Sequence, residues 1–314
     1  AFGAARKMFR YSLIYLAALF AALDADTLTA LKLAIDSGFQ GFSQRHGAAI
    51  EAAFAPLQGL LLGAETALLS MPWPLLLAVV AALAWVASRR WTLALGSAAT
   101  LALLGLFGLW DDTLKTLAMV LVATALAVCT GGPLGVAMAR WPRLQQSLSP
   151  LLDLMQTLPS FVYLIPAVML LGIGRVPGLL AVVVYALPPM VRFTSLGLRE
   201  VDADVLEAAD AFGATPWQRL WGVQLPLALP TLMAGINQTI MMALAMVVVA
   251  AMIGVQGLGQ PVLKAINNQY FALGLFNGLA IVAIAIVFDR ITQAWGWRVQ
   301  RHRQPPGGGE GGHG

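Results

Sequence analysis

Glu207–Pro230 reads EAADAFGATPWQRLWGVQLPLALP, a run that mixes acids, an arginine, tryptophans and glutamines between two strongly apolar segments. Locally, Val205–Phe212 suits a short helix, Gly213 breaks it, and Pro216 suits the first turn of a second helix with Thr215 as its N-cap. Pro226 and Pro230 mark where the chain turns apolar again. The expectation is a compact helix–Gly–helix elbow outside a membrane. Gly213 fits a position that needs positive φ or close backbone approach. Ala208 and Ala209 offer a small-residue face on which a partner could sit closely. An ordinary connecting loop would share these local features.

What surrounds the elbow sets the class. Of 314 residues, 59% are hydrophobic and 11% charged, and the mean hydropathy is +0.78, far from soluble-domain averages. Several apolar runs approach or exceed the ~20 residues that span a bilayer as helix. The fold class is an all-α polytopic membrane protein with about 7–8 membrane helices by that length rule. A net charge of +4 in such a chain concerns topology, not nucleic acid, and no nucleic-acid partner is expected. Membrane lipid is. Cys129 is the single cysteine, so no intrachain disulfide forms, and His46, His302 and His313 make no metal constellation.

Along the chain, Arg6, Lys7 and Arg10 precede apolar Tyr11–Leu23. This is read as an uncleaved anchor helix or a surface helix, in a chain that begins without Met and can be trimmed upstream. From Asp24 to Met71 the pattern is amphipathic. Phe54, Leu57, Leu61, Ala64 and Leu68 fall at helical spacing, with Glu51, Gln58 and Glu65 on another side. Such a segment lies in the interface plane or packs on the outer ends of its neighbours. Apolar spans then follow at Pro74–Ala87, Trp91–Trp110, Leu114–Ala139 (interrupted by Gly131-Gly132-Pro133), Pro159–Leu171, Pro177–Leu198, Ala228–Ile253 and Leu273–Phe288. A loop holding Pro142, Arg143 and Asp153 separates the third from the fourth. The domain reading is 1–72 as anchor plus amphipathic external segment, 73–297 as transmembrane domain with the elbow at 200–226, and 298–314 as a disordered tail.

Orientation follows from the basic residues. If both termini, Ser88–Trp91, Arg140–Gln156 and Arg192–Gln224 share one side, that side carries 14 of the 19 Lys and Arg residues. The positive-inside rule then places the elbow and the C-terminus in the cytoplasm.

Several chemistries are missing. No lysine follows a glycine, so there is no phosphate loop. No paired carboxylates, Cys/His ligand set or nucleophile elbow appears, and the chain is not expected to be an enzyme. Ionisable residues inside spans, which would mark a proton or ion pathway, are nearly absent. Arg192 and Asp289 sit near cytoplasmic ends and suit snorkelling or interfacial pairing. Uncharged polar residues do occur at depth: Gln156, Thr157, Asn237 and Gln238. These serve as interhelical glue or as pathway lining. Phe161, Tyr163, Met242 and Met246 are further candidates for lining, with packing as the alternative.

The elbow also carries a family signature. Glu207-Ala208-Ala209, three residues, Gly213, and then Leu225-Pro226 resembles the EAA loop of ABC-importer permeases. The runs DLMQTLPSFVYLIPAVMLLGIGRVPG (Asp153–Gly178), YALPPMVRFTSLGL (Tyr185–Leu198), QLPLALPTLMAGINQT (Gln224–Thr239) and MIGVQGLGQPVL (Met252–Leu263) narrow the resemblance. They are similar to permeases of glycine betaine, proline betaine and choline importers. The resemblance covers roughly Met71 to Trp297.

It implies a type I ABC importer transmembrane fold in a bacterial cytoplasmic (inner) membrane. It further implies two copies of this chain as a homodimer, two ABC ATPase subunits, and a separate external substrate-binding protein. No cofactor is expected on this chain, because ATP and magnesium would bind the partner ATPase. Coupling would fall to Glu207, Ala208, Ala209, Gly213, Ala214, Thr215, Pro216, Arg219, Leu225 and Pro226. Gly174–Gly178 would face the binding protein. A permease for another solute, such as an amino acid or sulfonate, and a membrane pore working without an ATPase remain the competing readings.

Overall fold

The computed structural model describes residues 25–301. The anchor helix expected before Leu23 and the tail after Arg301 lie outside the described residues. The chain divides into two units, 1–53 and 54–314. In the first, every described residue is helical and most are exposed.

Helix α1 (Ala25–Ser70) contributes its last turns to the second unit. There Leu57, Leu61 and Ala64 pack on the core, with Leu61 fully buried. The helix expected from their spacing is present. Glu65 differs from its expected polar side, because it lies one turn beyond Leu61 on the inward face. It is buried, and its Oε2 accepts from Arg175 Nη1 at 2.6 Å. Residues 26–70 are also long and apolar enough to cross a membrane, where the amphipathic spacing suggested an in-plane segment.

The second unit continues through α2 (Trp73–Ser88), α3 (Trp91–Leu106) and α4 (Trp110–Arg140). Next come α5 (Pro142–Thr157), a 3-10 turn (Ser160–Tyr163), α6 (Leu164–Leu171) and α7 (Arg175–Arg199). Then follow α8 (Ala203–Ala211), α9 (Pro216–Arg219), a π-helical turn (Leu220–Gln224), α10 (Leu225–Ala250), a 3-10 turn (Ala251–Ile253), α11 (Gly259–Asn268) and α12 (Phe271–Arg301). No strand occurs among the described residues. Among the described residues five helices are long and apolar enough to cross a membrane, a sixth span counts if the bent pair Pro142–Thr157 and Ser160–Leu171 is one, and α2 and α3 are shorter apolar helices.

At the centre, α7 packs most extensively against α10 and α4, and α12 covers α10. Small residues permit this closeness. A Cβ on Gly135 would stand 2.6 Å from both the Val191 carbonyl oxygen and Thr194 Cβ. One on Gly178 would stand 2.1 Å from Val255 Cγ2. Small residues at helix contacts are the membrane solution, because lipid supplies no hydrophobic drive between helices.

Three segments depart from expectation. Gly131-Gly132-Pro133 does not interrupt its span, and α4 runs unbroken to Arg140. Gly131 and Gly135 face α7, and packing holds the helix where propensity alone would end it. The loop around Pro142 is the amphipathic helix α5, with Pro142 in its first turn, where a missing N–H costs nothing. Its bend of 111° into the next segment falls at Leu158-Pro159, with Leu158 held extended by the proline after it. Finally, α12 continues through Arg301, beyond the boundary expected at 297.

Candidate functional site

The elbow is built as two capped helices joined by a left-handed residue. Asp202 caps α8 by accepting from the Asp204 backbone N–H at 3.0 Å. At the other end Gly213 adopts φ +77. The Ala214 N–H donates to the Ala209 carbonyl at 3.1 Å and the Gly213 N–H to the Asp210 carbonyl at 2.9 Å. That pair of bonds is a Schellman closure, which needs a residue at positive φ after the helix. Nothing lies within 4 Å of a Cβ placed on Gly213, so backbone conformation and not space selects glycine there.

The second arm begins two residues later. Thr215 Oγ1 accepts from the Gln218 N–H at 3.3 Å, and Gln218 Oε1 accepts from the Thr215 N–H at 2.9 Å. This reciprocal capping box satisfies donors at a helix start, with Pro216 in the first turn. Arg219 Nη1 donates to Asp210 Oδ2 at 2.6 Å and ties the two arms together. Arg140 Nη2, at the end of α4, donates to the Pro216 carbonyl at 3.0 Å.

Below the elbow, Leu220 is buried with Leu198 and Ala228 against Val136, Ala139, Leu225 and Leu232. The base is therefore fixed to the ends of α4, α7 and α10, and a force on the elbow reaches those helices through packed side chains. The outer surface is different. Glu207, Ala208, Gly213, Thr215 and Pro216 are exposed, and Ala209, Ala214, Arg219, Leu225 and Pro226 are partly covered. Phe212 is 93% exposed and Trp217 63%. The Trp217 and Trp221 rings meet edge to face at 5.8 Å. Exposed rings grouped on one small surface suit contact with a partner. Phe212, Trp217 and Asp210 are not distinguished by the local helix–Gly–helix pattern. Two tryptophans and a phenylalanine in an otherwise polar segment were the available signal.

The residues considered for pathway lining fall into two groups. Gln156 and Thr157 are exposed at the end of α5, where Thr157 Oγ1 donates to the Leu154 carbonyl at 3.1 Å. Phe161 is exposed beyond the bend, and the Tyr163 hydroxyl donates to the Met155 carbonyl. The Tyr163 ring meets Tyr185 edge-on at 5.8 Å. These four residues flank one bend. The α10 residues divide. Asn237 Nδ2 donates to Asp289 Oδ1 at 2.8 Å, and Thr292 Oγ1 donates to Asn237 Oδ1 at 2.7 Å, so Asn237 joins α10 to α12. Gln238 is exposed. Met242 packs on the core, and Met246 is fully buried within it. Met246 reaches no surface here, because it sits in a core cluster with residues of α4, α7 and α10, among them Val120, Val182 and Leu244. Arg192 pairs with Asp153 of α5, which anchors the bent segment to α7.

Residues 131–301 match the family described as binding-protein-dependent transport system inner membrane component. The glycine betaine/proline betaine transport system permease protein of Escherichia coli K12 is 48% identical over 241 residues, covering 77% of this chain and 68% of that protein. The glycine betaine/carnitine transport permease protein of Listeria monocytogenes is 47% identical, covering 71% of this chain and 80% of that one. The glycine betaine transport system permease protein of Bacillus subtilis is also 47% identical, covering 74% and 82%. Among solved structures, the methionine ABC transporter MetNI in an inward-facing conformation aligns with a TM-score of 0.53 at 24% identity, covering 60% of this chain and 92% of that one. That likeness establishes the fold: an all-α type I ABC importer transmembrane arrangement. This multi-pass membrane protein belongs to the binding-protein-dependent transport system inner membrane component family.

Proposed function

We propose that the chain is the permease subunit of an ATP-driven importer for a quaternary ammonium osmoprotectant: glycine betaine, proline betaine or choline. The observation that carries the substrate class is identity of 47–48% to permeases named for betaines, over most of both chains. In this reading the Glu207–Leu220 elbow is a mechanical socket, not an active site. The exposed Phe212 and Trp217 and the small Ala208 face seat a cytoplasmic ATPase subunit, which holds the ATP and magnesium.

Two copies form the pathway at their shared interface. An external binding protein delivers the solute on the side of Gly174–Gly178, and the arginine bias puts the elbow and C-terminus in the cytoplasm. ATP-driven closure of the ATPase pair draws the two elbows together. Leu220 and Arg140 carry that motion into α4, α7 and α10. Access then alternates between the two membrane faces, and hydrolysis resets it. Cation recognition by aromatic faces belongs mainly to the binding protein.

The test is reconstitution of the chain in proteoliposomes with its ATPase and binding protein. Uptake of labelled glycine betaine, dependent on ATP and competed by choline or proline betaine, is the expected result. Uptake of an amino acid or sulfonate instead would reassign the substrate. An ATPase that fails to co-purify at equal stoichiometry would remove the ABC mechanism.

A further inference from the structure

A groove of uniform chemistry opens on the helix bundle. It lies between α2, α3, α4 and α12, has a volume of about 190 Å³, and is lined by residues including Leu83, Leu101, Leu121, Phe288 and Trp295. No polar atom contributes to its wall. Of the lining residues, Thr100 turns its hydroxyl to the Gly96 carbonyl, to which it donates at 2.8 Å. A polar solute or a water finds no partner there, and an alkyl chain does.

One end of the groove is basic. On α12 the lining residues Ile284, Val287, Ile291 and Trp295 recur at helical spacing, and Arg298 extends the same face by one turn. Arg298 donates to the Val86 carbonyl near the end of α2, beside Arg89 and Arg90. The Arg89 guanidinium stands 4.8 Å over the Trp85 ring, and the Trp85 and Trp91 rings are 5.6 Å apart. Among the described residues none of these three arginines forms an ion pair. Tryptophans beside arginines are the signature of a membrane–water boundary.

Helix length explains why the groove stays open there. At 16 residues each, α2 and α3 reach about 24 Å, short of the ~30 Å hydrocarbon layer, whereas α12 has 31 residues. A short span beside a long one draws headgroups inward, toward Arg89 and Arg90 at the junction of α2 and α3.

We propose that this groove binds an anionic phospholipid, with an acyl chain along α12 beside Leu83 and Phe288 and the phosphate on Arg89, Arg90 and Arg298. A zwitterionic lipid would leave the three arginines without a net counter-charge, and a free phosphate would leave the apolar groove unused. Guanidinium groups suit phosphate oxygens through paired N–H donors. Anionic headgroups are attracted to basic residues at the membrane surface.

The test uses the full chain in phosphatidylcholine nanodiscs doped with phosphatidylglycerol or phosphatidylcholine brominated on the acyl chain. The readout is quenching of Trp295, taken as the difference between the unaltered chain and Trp295→Phe. Brominated phosphatidylglycerol should quench preferentially. Arg90→Gln with Arg298→Gln should cut that preference by about fivefold or more, while Arg90→Lys keeps it and shows that the site tolerates substitution. Equal quenching by the two lipids would reduce the groove to ordinary lipid contact and overturn the proposal. Absence of quenching by either would show another segment or a second copy filling the groove, with the same consequence.

Discussion

Arg219 and Asp210 are joined at 2.6 Å across the Gly213 turn, so the elbow is one braced unit with two arms. Both side chains are partly open to water, with 33% and 50% of their surface exposed, and the bond contributes under about 1 kcal/mol to stability. Its consequence is geometric, since the arms move together. Arg219→Ala should leave the chain's thermal midpoint nearly unchanged and lower coupled ATPase activity in the reconstituted complex. Unchanged coupling would show that the brace is dispensable.

Gly213→Ala should weaken the elbow by about 1 kcal/mol, because a Cβ at φ +77 is strained, even though the space is empty. Gly213→Asn should be milder, as asparagine tolerates the left-handed region. Gly213→Asp adds a charge to the proposed docking surface and should abolish substrate-stimulated ATPase activity with membrane insertion intact. Normal coupled transport in that variant would sink the coupling assignment.

Phe212→Ala removes a ring that packs against little of its own chain, and Trp217→Ala one that meets only Trp221 among the aromatic rings described. Thermal stability of the isolated chain should change by less than about 0.5 kcal/mol for Phe212→Ala and by about 0.5–1.5 kcal/mol for Trp217→Ala, which also breaks the ring pair with Trp221. Binding of the ATPase subunit should weaken by about 2 kcal/mol, near 30-fold, if these rings are anchors of the interface. Co-purification and titration of the ATPase onto the reconstituted chain read this directly.

Gly135→Ala should destabilise by about 1–3 kcal/mol, since the added Cβ meets the Val191 carbonyl and Thr194 at 2.6 Å and helices must separate. Gly132→Ala is the control. Its nearest neighbour is the flexible end of Met190 at 3.9 Å, so it should be neutral or slightly stabilising. Thermal unfolding in detergent distinguishes the pair.

Glu65→Gln should cost about 2 kcal/mol by leaving Arg175 without its buried counter-charge. Arg175 Nη2 also donates to Gln256 Oε1 at 2.8 Å, so the same arginine joins α1, the start of α7 and the loop after α10. Glu65→Gln with Arg175→Gln should be closer to neutral than either single change. A double-mutant cycle with no coupling would refute the pair's contribution.

Local chemistry made the elbow legible before any tertiary contact was known. Thr215-Pro216 and Gly213 are signals whose causes act within a few residues, and the two-arm form with its caps follows from them. The apolar runs likewise announced their helices, because a bilayer demands length and hydrophobicity from each segment separately. What could not be read were outcomes set by neighbours. Gly131-Gly132-Pro133 looked like a break, and α7 keeps it helical. Pro142–Thr157 looked like a loop because few of its residues are apolar, yet Leu152 is buried with Met138 and Val191 and holds the segment as a helix.

The sequence by itself determined an all-α membrane chain with a capped polar elbow, since span length, glycine φ and helix capping are local energies written in short stretches. Only the tertiary structure decided that Asn237 meets Asp289, that Met246 is sealed in the core, that Glu65 is buried against Arg175, and that Phe212 and Trp217 stand open. Those four outcomes depend on which faces of distant helices meet. That choice is made by close packing between segments, which no single segment encodes.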